Sequence, residues 1–201
     1  MNTLLADVLA RLEKMALDCG FSRTGAVDPA AVMARKEVRE ACASDKCHAY
    51  GKNWSCPPAC GSLEECEKKI RRCRAGLVLQ TTGSLEDSFD HESMERIGKE
   101  HESRLRAFQE KLQLFFAKPG MGKSGSVKNA GTDRPWLLLG SGGCRNCGQC
   151  TCPQSPCLFP EKMIVSVEAM GIQASELCKA GNIPYYYGPN TLTYIGCIFI
   201  K

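Results

Sequence analysis

The sequence AGLVLQTTG, residues 75–83, reads as the clearest buried strand of this chain. Its apolar run is short and continuous, as is typical of a strand inside a sheet. A charged helical pattern over 88–118 separates it from a second apolar strand, WLLLG, at 136–140, and a final strand, TLTYIGCIFI, follows at 191–200. Alternating strands and helices predict an α/β or α+β fold, in which a mixed sheet is flanked by helices.

Other elements are predicted from local patterns: an amphipathic helix ended by Gly20, a strand at 21–27, and helices at 30–41, 63–73 and 165–180. The helix over 63–73 rests on Ser62 and Glu65, which have the spacing of a capping box. The order of the strands in the sheet does not follow from such local patterns.

The composition limits the class of protein. The chain has 201 residues and 14 cysteines, and it can bury one core without disulfides, so we expect a single domain over 1–201. Charges interrupt the first apolar stretch and no 18 apolar residues run together, so neither a signal peptide nor a membrane span is expected. We expect a cytoplasmic protein, where thiols stay reduced unless a metal or a catalytic cycle uses them. Its net charge of +4 is scattered, so nucleic-acid binding is not expected.

Five cysteines lie within GGCRNCGQCTCPQSPCLFPEK, residues 142–162. Cys144, Cys147 and Cys150 form a C-x2-C-x2-C run, whose tight turns direct three thiolates toward a common centre. A zinc knuckle usually has one C-x2-C pair and a distant second pair, whereas three consecutive ligands are typical of ferredoxins. The loop 144–157 is therefore predicted to hold a [4Fe–4S] cluster, with zinc as the alternative and disulfides as a third possibility.

The fourth ligand of this loop needs a separate argument, because Gln154 occupies the position where the common ferredoxin run has a cysteine. Cys152 lies only two residues from Cys150, and successive extended residues point in opposite directions. Six residues, two of them prolines, separate Cys150 from Cys157 and can wrap round a cluster. We expect Cys157 to be the fourth ligand, with Cys152 as the alternative.

A second metal site is predicted in the first cysteine loop, residues 42–60, which contains Cys42, Cys47, Cys56 and Cys60. The spacings fit no standard zinc finger, yet four thiols in one loop are enough to ligate a cluster or another metal. Pro57 and Pro58 follow Cys56 and have no backbone N–H, so two hydrogen-bond donors are missing beside these thiols. Cys66 can substitute for Cys60. The two cysteine loops can bind metal separately or share one site.

The remaining histidines and cysteines are expected to have ordinary roles. We expect His48, His91 and His101 to be exposed to solvent. The cysteines outside the two loops are expected to be buried as small apolar residues: Cys19, Cys73, Cys178 and Cys197.

The glycine-rich stretch AKPGMGKS, residues 117–124, meets the loose pattern of a phosphate-binding loop. A true phosphate-binding loop follows a strand and opens a helix, whereas this stretch follows a long helix and continues as loop. Nucleotide binding is therefore not expected.

Three segments together resemble a known family. YGKNWSCPP at 50–58, together with the second cysteine loop and SVEAMGI at 166–172, resembles the predicted metal-binding proteins grouped as domain of unknown function 2284 in anaerobic bacteria and archaea. The similarity extends from Cys42 to Gly196. It implies an iron–sulfur protein and brings no established reaction. GFSRTGAVDPA at 20–30 is similar to the start of the epoxyqueuosine reductase and reductive dehalogenase group, which pair clusters with a corrinoid.

These features predict an electron-transfer or redox accessory protein whose cysteine loops lie at one edge of the sheet and pass single electrons to a partner enzyme. No acid–base pair or activated nucleophile is apparent, so no catalytic residue is assigned. Two alternatives remain open. The first is a zinc-binding structural or interaction module, and the second is an iron–sulfur enzyme acting with a corrinoid.

Overall fold

The computed structural model describes residues 3–117 and 134–201, so the glycine-rich stretch after Ala117 lies outside the described residues. The described helices are α1 (Thr3–Asp18), α2 (Lys36–Ala43), α3 (Leu63–Arg71), α4 (His91–Phe116) and α5 (Ala174–Ala180). The described strands are β1 (Arg23–Val27), β2 (Ala75–Ser84), β3 (Trp136–Gly140), β4 (Val165–Ser166) and β5 (Thr191–Ile200). Within these two segments, no helix has the length and apolar character needed to cross a lipid bilayer.

The five strands form one sheet in the order β1-β2-β5-β3-β4. The longest ladder joins β2 to β5 in antiparallel register, from Ala75 opposite Ile200 to Ser84 opposite Thr191. β3 lies on the other side of β5, also antiparallel, and pairs in parallel with the short β4. The sheet is therefore mixed, and the predicted α+β class is confirmed.

The side chains of the central strands alternate between two apolar cores, because successive residues of a strand point to opposite faces of the sheet. Leu77 and Leu79 of β2 pack with α1 and α4, where Phe108 is fully buried. Val78 packs on the opposite face, together with Ile70 of α3 and residues of α5. Helices thus cover both faces of the sheet.

Two predicted helices differ from the structure. The helix predicted over 165–180 begins only at Ala174, because Val165 and Ser166 pair with β3 and Gly171 then turns the chain at a φ of +80°. The helix predicted over 30–41 is replaced by a short 3-10 turn and by α2, which starts at Lys36. Here the Arg35 N–H donates to the Gly171 carbonyl at 2.7 Å, so a contact distant in sequence keeps the intervening backbone extended.

His101 was expected to be exposed on the charged helix, and this prediction is wrong. The ring is 1 % exposed, stacks on Tyr194, and its Nδ1 lies 3.0 Å from the Thr81 hydroxyl. The helix over 88–118 is amphipathic, and His101 lies one turn from Leu105 on its buried face. Burial, together with the charge of Arg104, lowers the pKa of His101 to about 3.

We expect this buried imidazole to make the protein less stable as the pH falls. The unfolded state takes up a proton near pH 6.5 and the folded state does so only near the lowered pKa, so the unfolded state is favoured below pH 6.5. At pH 5 the loss is about 2 kcal/mol. Chemical denaturation of wild type and His101→Gln should show a stability difference that shrinks by about this amount between pH 7 and pH 5. His91→Gln, at an exposed position of the same helix, is the matched control variant.

Candidate metal centre

The second cysteine loop leaves the sheet at the end of β3. Its four predicted ligands, Cys144, Cys147, Cys150 and Cys157, are all partly exposed, and every one of the fourteen cysteines in the chain is a free thiol. Burial raises the pKa of Cys144, while a hydrogen bond from the Asn146 backbone N–H to its sulfur acts in the opposite direction. Such N–H to sulfur bonds tune the chemistry of thiolate ligands.

The first cysteine loop connects α2 to α3. Cys42 lies in the last turn of α2, Cys47 is exposed, and Cys56 is buried. Burial raises the pKa of Cys56, and the nearby thiols of Cys47, Cys42 and Cys144 add to this effect. Burial also raises the pKa of Cys42, with a further contribution from the Glu168 carboxylate. The first loop therefore places three of its four predicted ligands near one another.

A hydrogen-bond network joins the two loops at Cys144. The Cys144 backbone N–H donates to the Ser55 hydroxyl at 2.8 Å, and the Asn53 side-chain amide donates to the Cys144 carbonyl at 2.8 Å. The Asn53 side-chain oxygen in turn accepts from the Ser55 backbone N–H and hydroxyl, both at 3.0 Å. Because Ser55 is fully buried, these bonds are protected from competition with water.

A second contact between the loops lies further along the second loop. The Trp54 indole N–H donates to the Ser155 carbonyl at 3.0 Å. The Cys152 thiol is buried and faces the Gly51 carbonyl at 3.8 Å. Cys152 is thus directed toward the backbone of the first loop. The Cys157 thiol instead lies near Cys144, where its charge contributes to the raised pKa of Cys144.

Six of the eight predicted ligands form a continuous series across this junction. Cys42 and Cys47 lie near Cys56, and Cys56 lies near Cys144. Cys144 in turn lies near Cys147 and Cys157. Cys150 lies instead near Cys152: burial raises the pKa of Cys152, and the charge of Cys150 adds to this effect. Among the described residues, no three His, Cys, Asp or Glu side chains lie close enough together to hold a metal ion. The thiols are therefore neighbours and not an assembled coordination sphere.

Cys60, the eighth predicted ligand, has different neighbours. Its thiol forms a hydrogen bond with the thiol of Cys66 in α3. The Arg39 guanidinium contacts both sulfurs, at 3.5 Å from Cys60 and 3.7 Å from Cys66. The hydrogen bond from Cys60 lowers the pKa of Cys66 to about 6, and the same bond raises the pKa of Cys60.

The chemistry of this donor set fits a soft metal. The side chains gathered at the junction are almost all thiols, with Glu168 the carboxylate noted beside Cys42. Thiolates select zinc, copper(I) and iron–sulfur clusters, whereas magnesium and calcium require oxygen ligands. The residues present therefore suit a thiolate-bound metal ion or cluster.

Several residues of this region escaped the sequence analysis. Asn53 and Ser55 flank Trp54 in an ordinary polar loop, and nothing in the sequence pairs them with Cys144. Arg39 lies 21 positions before Cys60, and Glu168 belongs to a different segment from Cys42, whose pKa it helps to raise. The SVEAMGI segment, which contains Glu168, shares in the family resemblance, and this is the one signal in the sequence that it lies near the site.

A small cavity adjoins Cys144. Its volume is about 40 Å³, and its lining includes Arg106, Arg145, Lys162 and the backbone of Gly142 and Gly143. This space is close to that of a single water molecule.

The comparisons with known proteins agree with the chemistry of the thiols. A family model described as predicted metal-binding protein (DUF2284) matches residues 25–200, which include both cysteine loops. Neither the curated proteins nor the solved structures give a match. Since the matched segment covers most of the chain, this protein belongs to the DUF2284 family of predicted metal-binding proteins.

Proposed function

We propose that the two docked cysteine loops hold a [4Fe–4S] cluster and that the protein transfers single electrons to a redox partner protein in the cytoplasm. The observation that supports this most is the thiol series that crosses the loop junction at Cys144. The proposed ligands in the second loop are Cys144, Cys147, Cys150 and Cys157. Thiolates are the usual ligands of such clusters, and their spacing in this loop is close to that of ferredoxins.

The first loop contributes to the same region in this proposal. Cys56 borders Cys144 and has Cys42 and Cys47 as its other neighbours, so in this proposal the loops form one continuous metal-binding region and not two distant sites. A second cluster or metal ion bound by these three thiols would lie beside the first. Cys60, predicted as their fourth partner, instead contacts Cys66 and Arg39.

The protein's own residues have defined roles in this function. A cluster held here would supply the one-electron chemistry. Asn53 and Ser55 hold the Cys144 backbone in place, and the Asn146 N–H donates to the Cys144 sulfur. Cys47 is exposed and Cys147 is partly exposed, so a partner protein can approach the thiols from solvent. Short distances to the surface favour electron exchange between proteins.

The test is the metal content of protein purified without oxygen. We expect a brown protein with about four or eight irons per chain and an equal amount of acid-labile sulfide. A colourless protein with stoichiometric zinc and no sulfide would overturn the electron-transfer proposal and leave a zinc-binding structural or interaction module. A protein without bound iron or zinc, purified from cells supplied with both, would overturn both.

A further inference from the structure

Cys60 and Cys66 form a pair of thiols that share one guanidinium. One nitrogen of the Arg39 guanidinium contacts both sulfurs, at 3.5 and 3.7 Å, and the Cys60 thiol also faces the Ala169 carbonyl at 3.6 Å. No other pair of cysteines in the described residues shares a guanidinium in this way.

Three separate segments fix this arrangement. Arg39 reaches from α2 and donates to the carbonyls of Gly61, at 2.6 Å, and Ala169. The capping box of Ser62 and Glu65, confirmed in both directions, sets the first turn of α3 and with it the position of Cys66. Gly61, between the two, has a φ of +109°, a conformation that other residues rarely adopt, and this allows the chain to turn back toward α3. The thiols are therefore held together by the fold.

The surroundings suit redox chemistry better than metal binding. A guanidinium touching both sulfurs stabilises a thiolate and repels a metal cation at the same point. The Cys60 backbone N–H donates to the Cys56 carbonyl at 3.0 Å, whereas the Cys60 thiol faces Arg39 and the Ala169 carbonyl. The side chains of the pair thus have different partners from the junction thiols.

We propose that Cys60 and Cys66 are a redox-active dithiol that a small hydroperoxide oxidises to a disulfide. Cys60 is 8 % exposed and Cys66 is 0 % exposed, so the oxidant must be as small as hydrogen peroxide. One sulfur attacks an oxygen of the peroxide, the O–O bond breaks, and a sulfenic acid and one water form. The second sulfur then displaces the hydroxyl group as a second water. Two thiols thus lose two electrons and two protons to the peroxide, and an S–S bond forms between Cys60 and Cys66.

The test is to map disulfides in the full-length protein with its metal bound. The protein receives one equivalent of hydrogen peroxide, its remaining thiols are alkylated in denaturant, and it is cut after glutamate. Glu64 and Glu65 separate Cys60 from Cys66, so a disulfide between them appears as two linked peptides. We expect this product to form at least about tenfold faster than oxidation of Cys73 and Cys178, which are buried thiols without a guanidinium contact. Dithiothreitol should restore both thiols.

Two variants separate this proposal from metal ligation. Cys60→Ala and Cys66→Ala should each retain the metal content of wild type and fail to form the linked peptides. Loss of bound metal in Cys60→Ala, with a wild-type far-ultraviolet circular dichroism spectrum, would identify Cys60 as a ligand and overturn the dithiol proposal. Separate alkylation of Cys60 and Cys66 in oxidised wild-type protein would also overturn it. Neither outcome depends on which metal the loops bind.

Discussion

The Cys157→Ala variant is expected to bind at least about tenfold less metal per chain than wild type, whereas Cys152→Ala is expected to bind as much as wild type. The Cys157 thiol neighbours Cys144, while the Cys152 thiol is buried against the first loop and faces the Gly51 carbonyl. A ligand removed from a four-thiolate site leaves the metal with three donors and an open position. Iron, zinc and sulfide per chain, measured on both variants after purification without oxygen, provide the comparison.

Cys152→Ala is a matched control because both changes remove one thiol from the same loop. A metal loss confined to Cys152→Ala would exchange the two assignments and make Cys152 the fourth ligand. Equal retention in both variants would show that the first loop, and not Cys157, completes the site. Circular dichroism of each variant checks that the loss is one of metal and not of fold.

Asn53→Ala should weaken metal binding by about 10- to 100-fold, although Asn53 is not itself a predicted ligand. Its side chain donates a hydrogen bond to the Cys144 carbonyl and accepts two hydrogen bonds from Ser55. The Ser55 hydroxyl in turn accepts a hydrogen bond from the Cys144 backbone N–H. Without the amide, the two loops lose the network that holds their thiols beside each other. The measurement is the concentration of chelator that removes half of the bound metal.

Asn146→Ala is the control, because it also removes a side-chain amide but one whose hydrogen bond does not join the two loops. The Asn146 side chain donates to the Lys162 carbonyl at 2.9 Å at an exposed position, so its loss should alter the chelator midpoint less than about threefold. Equal midpoints for the two variants would contradict the role assigned to the junction between the loops.

The elements of this fold were predictable wherever local pattern and long-range packing agree. The final strand over 191–200 was predicted with the bounds that the structure gives, because a run of apolar residues is what a central strand requires. The helix over 165–180 was predicted too long, since the pairing of Val165 and Ser166 with β3 depends on residues that are distant in sequence. Strand order was beyond local patterns for the same reason.

In the candidate site, too, local patterns were informative and contacts between distant residues were not predictable. Cysteine spacing predicted eight candidate ligands in two loops, but spacing says little about the direction in which each thiol points. Cys60 was grouped with its sequence neighbours, whereas Arg39 and α3 bring it to Cys66. The docking of Asn53 and Ser55 on Cys144 joins residues about 90 positions apart, which no local motif encodes.

The position of β5 also affects the order of events in biosynthesis. β5 lies between β2 and β3 in the sheet, yet it follows the other four described strands along the chain. The sheet therefore cannot be completed until residues 191–200 have left the ribosome. The first cysteine loop precedes β2 and the second follows β3, so the strand that joins their supporting strands is translated after both loops. We therefore expect a metal that is held by both loops to bind only after residues 191–200 have been translated.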